Sequence, residues 1–373
     1  MVKYGLLVTL LTIFILATAK CSSNNPAENS DVPAVSSIKL FDGVLFYDGY
    51  ATTVSEPVPE GVIRVQNSKY VKKIPASFIS SLNKKLAMRI IVKAACDNYD
   101  RIGNVFLSLI NKSEPYDKSR IVSRIEIARF ITPFMDKNKS PQEIPYDFTI
   151  DNIAALLKDK DYSDKYDFWM EFDIFGVPYA ANKQIAGCDG KNYTFYGTVE
   201  LISKDKAEAQ KNQQLLPIAS YVYLNNYKDT DMIGKTVKSF SVDLTSPIKN
   251  AKVYVITSNH GANSGGEEYN RRDHYIYFDN KLVSSYKPGG KSCEPFRIYN
   301  TQSNGIYGSK SKTESEWNSF SNWCPGDVIP IRVYDLGDLE SGRHTFKIEV
   351  PDAQFVGKQG EIPLSAYIQG ERN

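Results

Sequence analysis

Apolar and polar residues alternate with period two along much of the chain. Reinforced by β-branched and aromatic residues, the alternation predicts strands in SRIEIARFITPF (123–134), AKVYVITS (251–258), HYIYFDNKLV (274–283), VIPIRVYDL (328–336) and HTFKIEV (344–350). Helical periodicity is scarce. Its best instance is TIDNIAALLKDK, with Asp151 placed to cap a short helix. Many short strands separated by Gly, Asn, Asp and Pro clusters predict an all-β fold of antiparallel sandwiches or jelly rolls. A charged, amide-rich run, KDKAEAQKNQQ, breaks the strand pattern at 204–214. A linker at 206–214 leaves two β domains of ordinary size, 38–205 and 215–373.

The N-terminus follows a different pattern. Lys3 precedes the apolar run GLLVTLLTIFILATA, too short to span a bilayer comfortably, which predicts a secretory signal over residues 1–20. Two endings are open. Ala17-Thr18-Ala19 is a small-x-small cleavage site, whereas Cys21 followed by SSNNPAENS resembles the lipidated cysteine and polar tether of a bacterial lipoprotein. Lys20 fits the second poorly. Residues 21–37 read as a flexible tether. Both endings imply export: to the periplasm, to the outer membrane as a lipid-anchored protein, or into the medium.

Composition narrows the partners. The 373 residues are 42% hydrophobic and 24% charged, enough to bury a core, and the net charge of +2 gives no electrostatic basis for binding nucleic acid. Twenty-four tyrosines suit strands, and an aromatic-rich cleft would also suit a sugar. The cysteines are Cys21, Cys96, Cys188, Cys293 and Cys324. Export places them where disulfides persist; a lipid on Cys21 leaves an even four, and its absence leaves a spare thiol. No two cysteines are close and there are three histidines, so no zinc site is expected.

Three segments offer carboxylates for chemistry. CDNYDR (96–101) holds Asp97 and Asp100 beside Arg101, WMEFD (169–173) holds Glu171, and GGEEYNRRDH (265–274) holds Glu267 and Glu268. Each has a plain reading: a hydrogen-bonded turn, a half-exposed strand residue and a solvated face. Together they allow another. A cationic neighbour keeps one carboxylate ionised as a base for water, and a second, shielded acid manages a proton. Two carboxylates flanking one bond is a recurring hydrolytic arrangement.

The segments CD-x-x-DR with GNVFL (96–107), IARFITPF (127–134), Glu268-Tyr269 with Arg272 and His274, and NWCPG (322–326) run in one order along the chain. In them the chain resembles the bacterial peptide-N-glycosidase F family of glycoamidases. The resemblance implies two adjacent antiparallel jelly-roll β-sandwich domains with a three-acid site in the cleft between them. It places the essential aspartate at Asp100, the second-domain acid at Glu268 and the third acid at Glu171. Substrate contacts are expected from Tyr99, Arg101 and Arg272, and from His260 in SNHG, which could equally serve its turn. The implied reaction is hydrolysis of the amide joining asparagine to N-acetylglucosamine in N-glycosylated proteins or glycopeptides. No metal or organic cofactor is implied, and nothing suggests more than a monomer.

The resemblance also implies pairing of Cys293 with Cys324. In the family the first-domain cysteine bonds one just upstream, where this chain has Ala94 and Ala95. We therefore expect Cys96 to bond Cys188, in the insertion FGVPYAANKQIAGCDGKN. The small disulfide that the family closes around the second-domain acid is replaced by Gly266 and Asn270, which predicts a looser loop. Phe320 stands where the family has an arginine, and Asp173 where it has a tryptophan. Sequons at Asn111, Asn138 and Asn192 carry little meaning in a bacterial chain. Two rival functions remain: an exported glycan-binding lipoprotein without turnover, and a glycoside hydrolase cutting a sugar–sugar bond.

Overall fold

The computed structural model describes residues 34–204, 212–228, 232–262, 266–302, 306–318 and 322–372. The expected signal segment, Cys21, Phe320 and most of the expected linker lie outside these. Before residue 205 the strands are β1 (Ala34–Tyr47), β2 (Val62–Gln66), β3 (Lys69–Lys73), β4 (Lys85–Ala94), β5 (Ile102–Asn111), β6 (Ile121–Ile131), β7 (Glu143–Thr149), β8 (Tyr166–Ile174) and β9 (Tyr193–Lys204). They form two antiparallel sheets, ordered β1-β9-β4-β7 and β2-β3-β8-β5-β6. After it come β10 (Gln213–Leu224), β11 (Val237–Leu244), β12 (Ile248–Thr257), β13 (His274–Phe278), β14 (Lys281–Tyr286), β15 (Arg332–Leu339), β16 (Gly342–Glu349) and β17 (Ile362–Arg372). These make two more antiparallel sheets, β10-β17-β12-β15 and β11-β16-β13-β14. The fold is all-β, as expected, and its strands segregate into two halves.

Strand pattern follows burial. In β4 the buried residues are Leu86, Met88, Ile90, Val92 and Ala94, one face of a period-two ladder. In β5 both faces are covered. Val105, Leu107 and Leu109 enter the first core, while Phe106 on the opposite face meets the ring of Tyr221 from β10. A strand covered on both faces belongs at the junction of the halves.

Four local expectations change. HYIYFDNKLV is a hairpin rather than one strand: Asp279 and Asn280 turn at φ 47° and 62°, the left-handed values a two-residue β-turn needs. The helix Asp151–Lys158 has Ile150 at its cap, and the Asp151 carboxylate accepts the Leu86 N–H (2.9 Å) and Lys85 Nζ (2.8 Å) instead. The strand expected from Val328 begins at Arg332, beyond Pro330, whose ring nitrogen has no N–H to donate. β1 already starts at Ala34, inside the expected tether.

The halves meet through charge as well as apolar contact. Glu126 and Arg129 of β6, both wholly buried, form a bidentate pair with two bonds of 2.8 Å. Arg129 Nη1 donates across the junction to Ser258 Oγ (3.0 Å) and to the Pro363 carbonyl (2.8 Å). Glu126 takes the Asn104 amide (2.7 Å) and the Ser365 hydroxyl. Arg129→Met leaves a buried carboxylate without its counter-charge, so the variant loses about 3–5 kcal/mol of stability in guanidinium unfolding. An unchanged midpoint contradicts this role.

Candidate active site

The β4–β5 connection carries CDNYDR and is tied down from several sides. Cys96 bonds Cys188, with Cα atoms 5.6 Å apart, joining the loop to the segment after β8 as expected. Cys293 bonds Cys324 at a Cα separation of 5.4 Å. Asp97 is buried and accepts N–H groups of Tyr99 (2.9 Å) and Val177 (2.7 Å), together with Arg101 Nε (2.7 Å) and Nη2 (3.3 Å). Thr132, from the RFITP motif, accepts the Arg101 N–H (2.7 Å) and donates to the Tyr99 carbonyl (3.0 Å). The salt-bridge partner of Arg101 is thus Asp97.

Asp100 is left with a buried Oδ2 that has no hydrogen-bond partner. Its carboxyl is pushed up to about 7, first by burial and next by the charge of Glu268, with Arg101 offsetting part of the rise. An ionised base held by a cation was the expectation; the finding is a carboxyl poised near neutrality by desolvation and a like charge.

Glu268 arrives from the second half, on the loop between β12 and β13. Its Oε2 accepts the Gly261 N–H (3.1 Å), the Tyr269 hydroxyl donates to the same carboxylate, and Asn322 Nδ2 holds its carbonyl at 2.7 Å. Burial raises its pKa, while these donors and Arg101 pull it back. The Gly261 N–H and the Tyr269 hydroxyl thus oppose the effect of burial on the Glu268 carboxyl. Asn322 and Trp323 of NWCPG also brace residue 259 through bonds of 2.9–3.2 Å, and the His260 ring stacks on Trp323 at 5.7 Å. His260 Nε2 meets Ser258 Oγ at 2.7 Å, and burial followed by the Arg129 charge drives its pKa down to about 3. The ring is therefore uncharged at neutral pH.

Asp100, Arg101 and His260 line a cavity of about 680 Å³ between the halves. That size suits a small ligand. The lining also includes Arg124 and the pair Lys69–Asp173 (3.1 Å), with Tyr50, Phe106 and Tyr221 among its aromatic residues. Glu171 is not part of the lining. It is 1% exposed, its carboxylate is gripped by Arg124 at 2.8–3.1 Å and by Ser108, and its pKa is lowered because those partners outweigh burial. Arg272 is turned to Glu267 (2.7 Å), and Tyr99 packs toward Phe134 at a ring separation of 5.7 Å. Among the described residues no His, Cys, Asp or Glu cluster converges as a metal would need. Lys69, Arg124, Tyr221 and Glu361 reach the cavity without a motif. Register alone carries the signal: Lys69 lies opposite Asp173, and Asp173 opposite Asn104, across β3, β8 and β5.

Keeping Asp100 ionised costs folding energy. An unfolded aspartate ionises near its ordinary 3.8, this one at about 7, so stability is lost as pH rises between them. Asp100→Asn removes that penalty. The variant should gain on the order of 2–4 kcal/mol over the parent at pH 8 and almost nothing at pH 4, read by denaturant unfolding at both. Equal stabilities at pH 8 contradict the buried, raised carboxyl.

The family described as Peptide-N-glycosidase F, N terminal, matches residues 37–191, and that described as Peptide-N-glycosidase F, C terminal, matches residues 226–369. Among solved structures, PNGF-II is 19% identical with a TM-score of 0.65, covering 91% of this chain and 66% of its own, so this chain spans about two thirds of that one. Recombinant peptide:N-glycanase F (PNGase F) is 18% identical with a TM-score of 0.57, covering 91% and 96%. PNGase F, a glycosylasparaginase from Flavobacterium meningosepticum, is 18% identical at 0.56 with the same coverage. No curated protein sequence matches. Matched by the family in both halves and sharing its fold, the chain belongs to the peptide-N-glycosidase F family.

Proposed function

We propose that this protein hydrolyses the amide between asparagine and the proximal N-acetylglucosamine of N-linked glycans, on glycoproteins or glycopeptides outside the cell. The observation that carries the reading is Asp100, which lines the cavity with a buried Oδ2 that has no hydrogen-bond partner and feels the charge of Glu268 from the other half. Family membership supports it, and two disulfides suit an oxidising compartment.

A carboxyl near 7 is well matched to general-base work at neutral pH. Ionised Asp100 takes a proton from water as its oxygen attacks the amide carbonyl. The C–N bond then breaks, the proton passes to the leaving nitrogen, and a glycosylamine and an aspartate result. Glu268 sets the charge that tunes Asp100 and accepts hydrogen bonds from the substrate. Arg101 spends Nε and Nη2 on Asp97 and lines the cavity, so its guanidinium is in place to meet substrate. Neutral His260 offers a donor without adding charge, and Glu171 acts through Arg124, whose guanidinium it orients.

Incubation with a defined N-glycopeptide, read by mass spectrometry, tests the reaction. The expected outcome is release of the intact glycan with an Asn-to-Asp gain of about one dalton; binding without change, or sugar left on asparagine, points to the two rival functions instead. Asp100→Asn should abolish turnover while the fold persists, and near-normal activity in it overturns the assignment. Because the base must be ionised, kcat/KM should climb with pH through a midpoint at about 7 and level off above it. A flat profile between pH 5 and 9 is the contrary result.

A further inference from the structure

Glu267, next in sequence to Glu268, points the other way. It is wholly buried, and its carboxylate accepts three N–H groups: Arg272 Nε at 2.7 Å, Arg272 Nη2 at 2.9 Å and the main-chain N–H of Gln354 at 2.9 Å. The Gln354 segment is itself held, its carbonyl taking Asn226 Nδ2 at 3.0 Å. Within the loop, Asn270 Nδ2 donates to the Gly266 carbonyl at 2.8 Å, and the Asn270 N–H to the Glu267 carbonyl at 3.1 Å. Gly266 and Asn270, where the family's disulfide was expected to be missing, thus join by a hydrogen bond.

A carboxylate that tunes its neighbour by charge must sit at a fixed distance, because Coulomb energy and proton transfer both change steeply over an ångström. Among the described residues, the main chain of Glu268 is held by Gly261 and Asn322 on one side. The other side of the turn is anchored by the Glu267 carboxylate and by Arg271, which donates to the Pro288 (2.7 Å) and Asn318 (2.6 Å) carbonyls. We propose that Glu267, clamped by Arg272 and the Gln354 amide and closed by the Asn270–Gly266 bond, is the positioning residue that sets Glu268 against Asp100. It takes the place of a covalent closure of this loop. Arg272 belongs to this clamp and not to the substrate. The proposal deepens the glycoamidase reading and rests on it for its kinetic consequence.

The test is Glu267→Gln beside Glu267→Asp, with glycopeptide hydrolysis followed across pH and amide exchange across the loop. Gln keeps an acceptor for Gln354 but loses the charge that grips Arg272. We expect kcat to fall on the order of ten- to a hundredfold with KM within about twofold, the acid limb of the pH profile to move, and exchange at 266–272 to quicken while the sheets stay protected. Glu267→Asp should recover part of kcat. A variant with unchanged kcat, pH profile and loop exchange, and only a lower melting temperature, overturns the proposal. If the parent protein does not hydrolyse the glycopeptide, the functional reading fails instead, and loop exchange still decides the clamp. Unchanged exchange in Glu267→Gln then overturns it.

Discussion

Arg129 is enclosed at the junction of the two halves, and the chain has to satisfy its donors there. Glu126 takes two of them from the same strand, and Ser258 and Pro363 of the second half take another. A buried ion pair adds little net stability compared with an apolar substitute, but it punishes every arrangement in which its partners are missing. It therefore specifies one docking of half on half. Ser258 is also the hydrogen-bond partner of His260, so the docking contact and the cavity wall share an atom. Because Asp100 lies on one half and Glu268 on the other, their coupling depends on that docking. RFITP serves the site in the same way: Arg129 fixes the junction and Thr132 clamps the Asp100 loop.

Much of the fold was legible because burial imposes period two. The strands around Ile125, Val253 and Phe346 declare themselves by one apolar face. Legibility failed where backbone chemistry overrides the pattern. The pair Asp279-Asn280 sits inside an unbroken aromatic alternation and turns only because both residues tolerate positive φ. Asp151 looked like a cap, but a lysine and a backbone N–H sixty-odd positions earlier claimed its carboxylate, a contact no local spacing encodes.

The site was legible in its residues and not in their pairings. The family resemblance put Asp100 and Glu268 forward, and the structure couples them. It did not show that Asp97 would take Arg101, because both aspartates of CDNYDR lie within reach of that guanidinium in sequence. Glu171 shares a face of β8 with Asp173, and register decides which of the two is covered by Arg124 and which lines the cavity. The Cys96–Cys188 bond was expected from the family's missing partner, and it closes a span of 92 positions onto the Asp100 loop.

Two carboxyls from opposite halves meet in electrostatics: burial first, and the charge of Glu268 next, raise the Asp100 carboxyl. Titration of the Asp100 side-chain carboxyl by carbon NMR reads this without substrate. The expected midpoint is about 7 in the parent protein, with a clear fall when Glu268→Gln removes the like charge. A midpoint near that of a free aspartate in both proteins would contradict it.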